Sequence, residues 1–139
     1  MNRILVCLDG SKRAPHVLET AANIARQSGA KLRVFRAVGI PPEIDQEVVA
    51  HAAMGMIETL VSKARREVDD LMKSLPATLI DGTDVRIGVP WDAICREAKE
   101  RECDLIVIGS HGYGGLDRIL GTTAAKVVNH ADRSVLVVR

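Results

Sequence analysis

The segment Leu105–Gly121, LIVIGSHGYGGLDRILG, decides the fold that this sequence predicts. Its first four residues are an apolar run, typical of a strand that is covered on both faces. Five of the chain's eleven glycines then fall between positions 109 and 121, and a helical pattern follows them. Glycine lets backbone N–H groups turn toward a ligand, and a helix N-terminus carries a partial positive charge. The order strand, glycine loop, helix therefore predicts an anion site, best suited to the phosphates of a nucleotide.

The same alternation of strand and helix continues outward over the whole chain. The spacing of apolar residues and the positions of Gly and Pro predict these elements in order: strand 4–8, helix to 29, strand 32–38, helix 45–74, strand 78–87, helix from 90, strand 104–108, helix around 124–128, strand 134–138. Five strands and four helices in strict alternation predict an α/β fold, a doubly wound parallel sheet with helices on both faces. Residues 1–139 then form a single domain.

Three residues predict local features of these elements. Ser11 is expected to cap a first helix that begins at once, because its hydroxyl can accept a backbone N–H. Gly29 is expected to close that helix in the left-handed conformation. Gly82 predicts a bend or bulge in the third strand.

Composition limits the classes of partner. Lys and Arg total 19 against 18 Asp and Glu, a formal charge of +1, and aromatic residues make up only 2% of the chain. Without a basic cluster or an aromatic platform, we expect no nucleic-acid partner. The apolar runs are too short to span a bilayer, so we expect no membrane insertion. Three widely spaced cysteines have neither zinc nor redox-motif spacing, which favours reduced thiols in the cytoplasm.

In a doubly wound sheet, ligands bind beyond the carboxyl ends of the strands, where the strand order reverses. A site built from the first and fourth strands would bring Asp9 to the glycine loop. The loop differs from a Walker A motif, because no Lys follows Gly121, and its spacing differs from the Rossmann fingerprint. Two plainer interpretations remain open: the glycines form only a tight connection, and Asp9 only caps a helix. His111 has the chemistry of a base, but a positioning or structural role fits it better, because no carboxylate or nucleophile is fixed beside it by sequence.

The quoted segment and three others resemble the universal stress protein family. The matching stretches are 4–11 (ILVCLDGS), 88–90 (GVP), 103–112 (CDLIVIGSHG) and 134–138 (SVLVV), in the family's order and over the whole chain. The resemblance implies an adenine nucleotide α-hydrolase-like sheet with strand order 3-2-1-4-5. It also implies a homodimer, which agrees with the bare apolar edge that Ser134–Val138 would otherwise expose.

Many members of that family bind ATP through a loop written G-x-x-G, nine residues, then G and Ser or Thr. Gly109 and Gly112 match the first part and Gly121 the second, although only eight residues separate Gly112 from Gly121. Carried over by position, the resemblance implies a nucleotide site formed by Leu8, Asp9, Ala37, Val38, Ile108, Gly109, His111, Gly112, Gly121, Thr122 and Thr123. The implied ligand is ATP, with Mg²⁺ or Mn²⁺.

The sequence therefore predicts a cytoplasmic, ATP-binding homodimer that acts in stress response or signalling. No dedicated catalytic base is evident, so we expect at most slow ATP hydrolysis. The alternative is a dimeric interaction module of the same family that binds no nucleotide, which the short loop spacing favours. A flavodoxin-like electron carrier fits the order of elements, but the chain is poor in aromatic residues that could flank a flavin.

Overall fold

Five parallel strands form one sheet, in the order β3-β2-β1-β4-β5, in a computed structural model that describes residues 1–40, 50–110 and 120–139. The strands are β1 (Arg3–Cys7), β2 (Lys31–Val38), β3 (Ile80–Ile87), β4 (Leu105–Gly109) and β5 (Ser134–Val138). The helices of the described residues are α1 (Ala14–Ser28), α2 (Ala50–Met72), α3 (Pro90–Glu100) and α4 (Thr122–His130). This confirms the doubly wound α/β fold and the order 3-2-1-4-5.

The central strand β1 is buried on both faces of the sheet. Ile4, Leu5 and Val6 are each 0% exposed. Ile4 and Val6 belong to an apolar core shared with α1 and α2, whereas Leu5 belongs to a second core shared with α3 and α4. Successive side chains of a strand point to opposite faces, so a continuous apolar run is what a sheet covered on both sides requires.

Helix α1 begins two residues later than a cap at Ser11 would place it. Its first residue is Ala14, and the N-cap residue is Arg13, which makes no side-chain cap hydrogen bond. The Ser11 hydroxyl instead accepts the Arg13 N–H at 3.2 Å, and the Asp9 carboxylate accepts the Ser11 N–H at 2.9 Å. These two local turns keep the segment out of the helix. The other end is as expected, because Gly29 has a φ of 75° in the left-handed region.

The third strand carries the expected bulge. It begins at Ile80 rather than at 78, because Ala77–Leu79 forms a 3₁₀ turn. Leu32 pairs with Ile80 while Arg33 pairs with Gly82, so one residue of β3 has no partner across the ladder. A Cβ atom on Gly82 would lie 2.2 Å from the Arg33 guanidinium. Any other residue there would require the Arg33 guanidinium to shift.

Helix α2 ends at Met72, two residues before the expected end, and its expected first residues, 45–49, lie outside the described part of the chain. The Ser74 and Leu75 N–H groups bond three residues back, to Leu71 and Met72, in a tightened last turn. In the described ranges, no helix combines the length and the apolar composition that a membrane span needs.

A buried ion cluster, which we call the Glu97 cluster, ties α3 to β2 and β3. It consists of Arg33, Asp84, Arg86, Glu97 and Arg101. Glu97 is 0% exposed, and its Oε1 accepts hydrogen bonds from Nε of Arg33 at 3.0 Å and Nε of Arg101 at 3.4 Å. Its Oε2 lies 3.1 Å from a guanidinium nitrogen of Arg86, close enough for ion pairing but without hydrogen-bond geometry. A fully buried carboxylate is stable there because it faces three cations.

Asp84, a member of the Glu97 cluster, makes the contribution of the cluster to stability depend on pH. Burial opposes the ionisation of Asp84, but hydrogen bonding with Glu97 and Arg33, together with the charges of Arg33 and Arg101, outweighs it and holds the pKa of Asp84 below its usual range. A carboxyl group whose pKa is lower in the folded state contributes stability above its unfolded pKa. That contribution is lost as the pH falls through the range between the unfolded and folded values.

The three cysteines are free thiols within the fold. Cys7 and Cys103 are buried and Cys95 is half-buried. Burial raises the pKa of the Cys7 thiol well above its usual range and that of Cys103 to about 11. All three are therefore neutral at physiological pH and pack as small apolar side chains, as the sequence indicates.

Candidate functional site

A pocket of about 550 Å³ opens at the carboxyl edge of the sheet, where β1 lies between β2 and β4. This is the point at which the strand order reverses, because the chain crosses from one side of β1 to the other. The pocket is lined by Cys7, Leu8, Asp9, Gly10, Ser11, Arg13, Ala14, Val17, Ala37, Pro90, Ile94, Ile108, Gly109, Ser110, Thr122, Thr123, Ala124 and Val138.

Three helices begin at this pocket. The first residues of α1, α3 and α4, which are Ala14, Pro90 and Thr122, all line it. The first N–H groups of a helix have no partner within the helix and carry a partial positive charge. At none of the three described N-caps does a side-chain hydrogen bond cap the helix. The pocket is therefore a region where amide donors and positive dipole ends converge, which favours an anion.

Part of the pocket lining is apolar. Ala37 lines it from the end of β2, Ile94 from α3 and Ile108 from the end of β4. Pro90 adds a ring without a donor, and Cys7 adds a neutral thiol. Such walls suit a flat, weakly hydrated group rather than a charge.

Another part of the lining carries hydrogen-bonding groups. Gly109 ends β4 there, and the threonines Thr122 and Thr123 start α4. The Gly121 N–H donates to the Ser110 carbonyl at 3.1 Å, and the Ser110 N–H donates to the Val138 carbonyl at 2.7 Å. The end of β4 and the start of α4 are therefore held side by side, with the two threonine hydroxyls next to them.

Asp9 also lines the pocket, from the loop that follows β1. Its side chain is exposed, and its Oδ1 accepts the Ser11 N–H at 2.9 Å. Asp9 therefore holds a local turn before α1 and does not cap the helix, which was the plainer role expected for it. A carboxylate has about four acceptor positions, so the turn leaves capacity for a ligand hydroxyl.

The pocket is nearly neutral in its side chains. Among the described lining residues, Asp9 is the single acid and Arg13 the single base. Within those same parts of the chain, no group of three or more His, Cys, Asp or Glu side chains is arranged to hold a metal ion. The positive character of the pocket comes mainly from backbone dipoles.

The structure brings most of the sequence-predicted site residues together. Seven of them line the pocket: Leu8, Asp9, Ala37, Ile108, Gly109, Thr122 and Thr123. Val38 and Gly121 are neighbours of lining residues but do not line it themselves. The predicted residues His111 and Gly112 lie outside the described residues.

The site residues predicted from the sequence did not include the helix starts, although Ser11 and Pro90 belong to segments expected at the ligand-binding edge. Ser11, Arg13 and Ala14 line the pocket from the head of α1, and Pro90 from the head of α3. The signal was present, since each follows a strand that ends at the carboxyl edge, where helices of a doubly wound sheet begin. Ser110 is also a lining residue and adjoins the predicted Gly109.

Comparison with known proteins agrees with this architecture. The model of the universal stress protein family matches residues 1–139. Universal stress protein Sll1388 from Synechocystis sp. is 30% identical over 149 residues, which cover 99% of this chain and 97% of that protein.

Solved structures give the same picture. Universal stress protein UspA from Lactobacillus plantarum is 26% identical, with a TM-score of 0.82 over 99% of this chain and 97% of that one. A universal stress protein crystallised in complex with cAMP is 29% identical, with a TM-score of 0.69 over 99% of this chain and 97% of that one.

Proposed function

Because this chain belongs to the universal stress protein family, we propose that its pocket binds an adenine nucleotide, with ATP as the principal ligand. The observation that carries the proposal is the pocket of about 550 Å³ at the switch point of the sheet, into which three helix N-termini converge. A related protein of 29% identity forms a complex with cAMP, which supports the same class of ligand.

The apolar and the hydrogen-bonding parts of the pocket suit the two ends of a nucleotide. In this proposal the purine lies against Ala37 and Ile94, where the walls are apolar. Asp9 accepts a hydrogen bond from a ribose hydroxyl. The phosphates lie beside Gly109 and Thr122–Thr123, where amide and hydroxyl donors converge.

A divalent cation, Mg²⁺ or Mn²⁺, fits this arrangement as a companion of the phosphates. Magnesium usually keeps several waters and is held by one or two carboxylates together with substrate phosphates. Asp9 supplies a carboxylate, and Thr122 and Thr123 supply hydroxyl oxygens. The cation would neutralise charge on the phosphate chain.

Binding, rather than turnover, is the proposed activity. Rapid phosphoryl transfer needs a group that orients water and cations that stabilise the γ-phosphate in the transition state. The described lining includes one carboxylate, and that carboxylate already holds a turn. We therefore propose a nucleotide-dependent stress-response or signalling protein with at most slow hydrolysis. The free thiols of Cys7, Cys95 and Cys103 fit a reducing cytoplasm.

Isothermal titration calorimetry of the purified protein with ATP, AMP and cAMP tests the proposal. We expect saturable binding of one nucleotide per chain. Protein purified without added nucleotide and then heat-denatured should release an adenine nucleotide that chromatography identifies. An empty protein that gives no binding heat with any of the three would contradict the proposal.

The second candidate function is a dimeric interaction module without a nucleotide. It is favoured by one feature, the spacing of eight rather than nine residues between Gly112 and Gly121. The same calorimetric titration separates the two functions, because the module should be empty as purified and should remain unresponsive to nucleotide.

For either function, we propose that the protein forms a homodimer through β5. Val135, Leu136 and Val137 are half-exposed, and β5 occupies one end of the strand order. The opposite edge strand, β3, is protected by its bulge and by charged residues such as Asp81 and Arg86. A regular, uncharged edge invites pairing with a second copy, whereas bulges and charges prevent it.

Lysine at the β5 edge should therefore dissociate the dimer. We expect Val137→Lys to run as a monomer in size-exclusion chromatography with light scattering, because two apposed strands would bring like charges together. Ile87→Lys, the same type of change on the β3 edge, is the matched control and should remain dimeric. A Val137→Lys protein that keeps the wild-type dimer mass would place the interface elsewhere.

A further inference from the structure

We propose that Arg13 reads the outer phosphates of the ligand and makes the pocket prefer nucleoside di- and triphosphates to monophosphates. This rests on the proposed function, which by itself assigns no role to Arg13. Arg13 is an exposed side chain at the N-cap of α1, and it is the one basic residue among the described residues that line the pocket.

Helix α1, which begins directly after Arg13, packs on the end of β4. Val17 lies one turn after Arg13, and its N–H donates to the Arg13 carbonyl at 3.1 Å. Residues four apart share one face of a helix, so both side chains belong to the same face. A Val17 methyl carbon lies 3.2 Å from where a Cβ on Gly109 would stand, so this face packs on the end of β4. Arg13 precedes Val17 by one turn and lines the same pocket as Gly109 and Ser110.

Arg13 is the N-cap of α1, at the end of the helix that lines the pocket. The proposed purine walls, Ala37 and Ile94, belong to β2 and α3. Helix α3 packs in the second core and α1 in the first, on opposite faces of the sheet. The proposal therefore assigns Arg13 to the phosphate chain and not to the purine.

The charge balance explains why selectivity should depend on this residue. Helix dipoles and hydroxyls can satisfy one phosphate, but each further phosphate adds charge near the mouth, where solvent reaches. A guanidinium presents five N–H donors in a planar fork that matches phosphate oxygens. Removing the guanidinium should lower the affinity most for the ligands that bring the most phosphate groups to Arg13.

The test compares Arg13→Gln with Lys12→Gln in calorimetric titrations with ATP and AMP. Lys12 is the neighbouring exposed residue and does not line the pocket, so its variant has the same change in net charge. We expect Arg13→Gln to lower the affinity for ATP by about tenfold and to leave the affinity for AMP nearly unchanged. Lys12→Gln should leave both affinities at their wild-type values. Arg13→Lys should recover part of the ATP affinity, because it keeps the charge without the fork.

Three results would overturn the assignment of Arg13: unchanged ATP affinity in Arg13→Gln, an equal loss of affinity for ATP and AMP, or an equal effect of Lys12→Gln.

Titration with inorganic tripolyphosphate tests the role of Arg13 separately from the proposed function, because this ligand carries the phosphate chain without the base. Tripolyphosphate binding that disappears in Arg13→Gln would support the role of Arg13 even if adenine nucleotides do not bind. If the wild-type protein binds neither ATP nor tripolyphosphate, both proposals fall.

Discussion

Replacement of Glu97 by alanine is expected to lower the free energy of unfolding by about 3 kcal/mol. The Glu97 carboxylate is fully buried and faces Arg33, Arg86 and Arg101. Removing one partner of a buried ion pair leaves the remaining charge desolvated, which typically costs about 3–5 kcal/mol. The lower value applies here because Arg86 and Arg101 are 37% and 40% exposed and can rehydrate. Arg33, with 13% of its side chain exposed, cannot do so to the same extent.

Urea unfolding followed by circular dichroism measures this effect, and Glu100→Ala is its control. Glu100 lies one turn further along α3 and pairs with Arg86 at 3.1 Å, but 55% of its side chain is exposed. Exposed ion pairs contribute little, so the control should change stability by less than about 1 kcal/mol. Equal losses for the two variants would mean that burial of the carboxylate is not what makes Glu97 important. Because domains are stable by only about 5–15 kcal/mol, the expected difference is a large part of the total.

The Glu97 cluster also marks a limit of prediction from sequence. The helical spacing of Trp91, Ile94 and Ala98 places Glu97 beside a buried stripe, yet a charged residue on such a stripe normally lies at its solvated border. What keeps Glu97 inside is Arg33, which is 64 residues earlier in the chain and on a different element. A pairing of this kind depends on which strands become neighbours, and local patterns do not record it.

The sheet itself could be predicted because its signals are local and repeated. The apolar run of β1 and the alternation of elements follow from burial on two faces, and the bulge at Gly82 follows from a glycine inside a strand. The predicted start of α1 was wrong by two residues, because Ser11 and Asp9 use their side chains in turns that compete with helix formation. Short polar residues permit both outcomes, so sequence alone could not choose.

The candidate site was predictable in part for the same reason. Asp9 and Gly109 follow strands, and the rule that ligands bind at the carboxyl edge places them together without knowledge of the tertiary structure. Arg13 and Pro90 were missed because their importance comes from where α1 and α3 begin relative to the pocket. That relation depends on packing, such as the contact between Val17 and Gly109, which no spacing in the sequence encodes.

Phenylalanine at position 37 should strongly weaken nucleotide binding while the fold remains intact. Ala37 lines the apolar part of the pocket from β2, and its side chain is a single methyl group. A benzyl group there would occupy the space that the proposal assigns to the purine, inside a pocket of only about 550 Å³. We expect the affinity for ATP to fall on the order of 100-fold, or about 2.7 kcal/mol. Calorimetry measures the loss, and thermal unfolding shows whether the variant is folded.

Ile40→Phe is the matched control, because Ile40 is 54% exposed just beyond the same strand and does not line the pocket. It should bind ATP as the wild type does. The affinities of the two variants also separate the purine contacts from the phosphate contacts. Ala37→Phe should lower the affinity for ATP and AMP alike, since both carry the base, whereas Arg13→Gln should lower the affinity for ATP alone. A folded Ala37→Phe protein with wild-type affinity would show that the purine lies elsewhere, and the apolar wall of β2 and α3 would lose its assigned role.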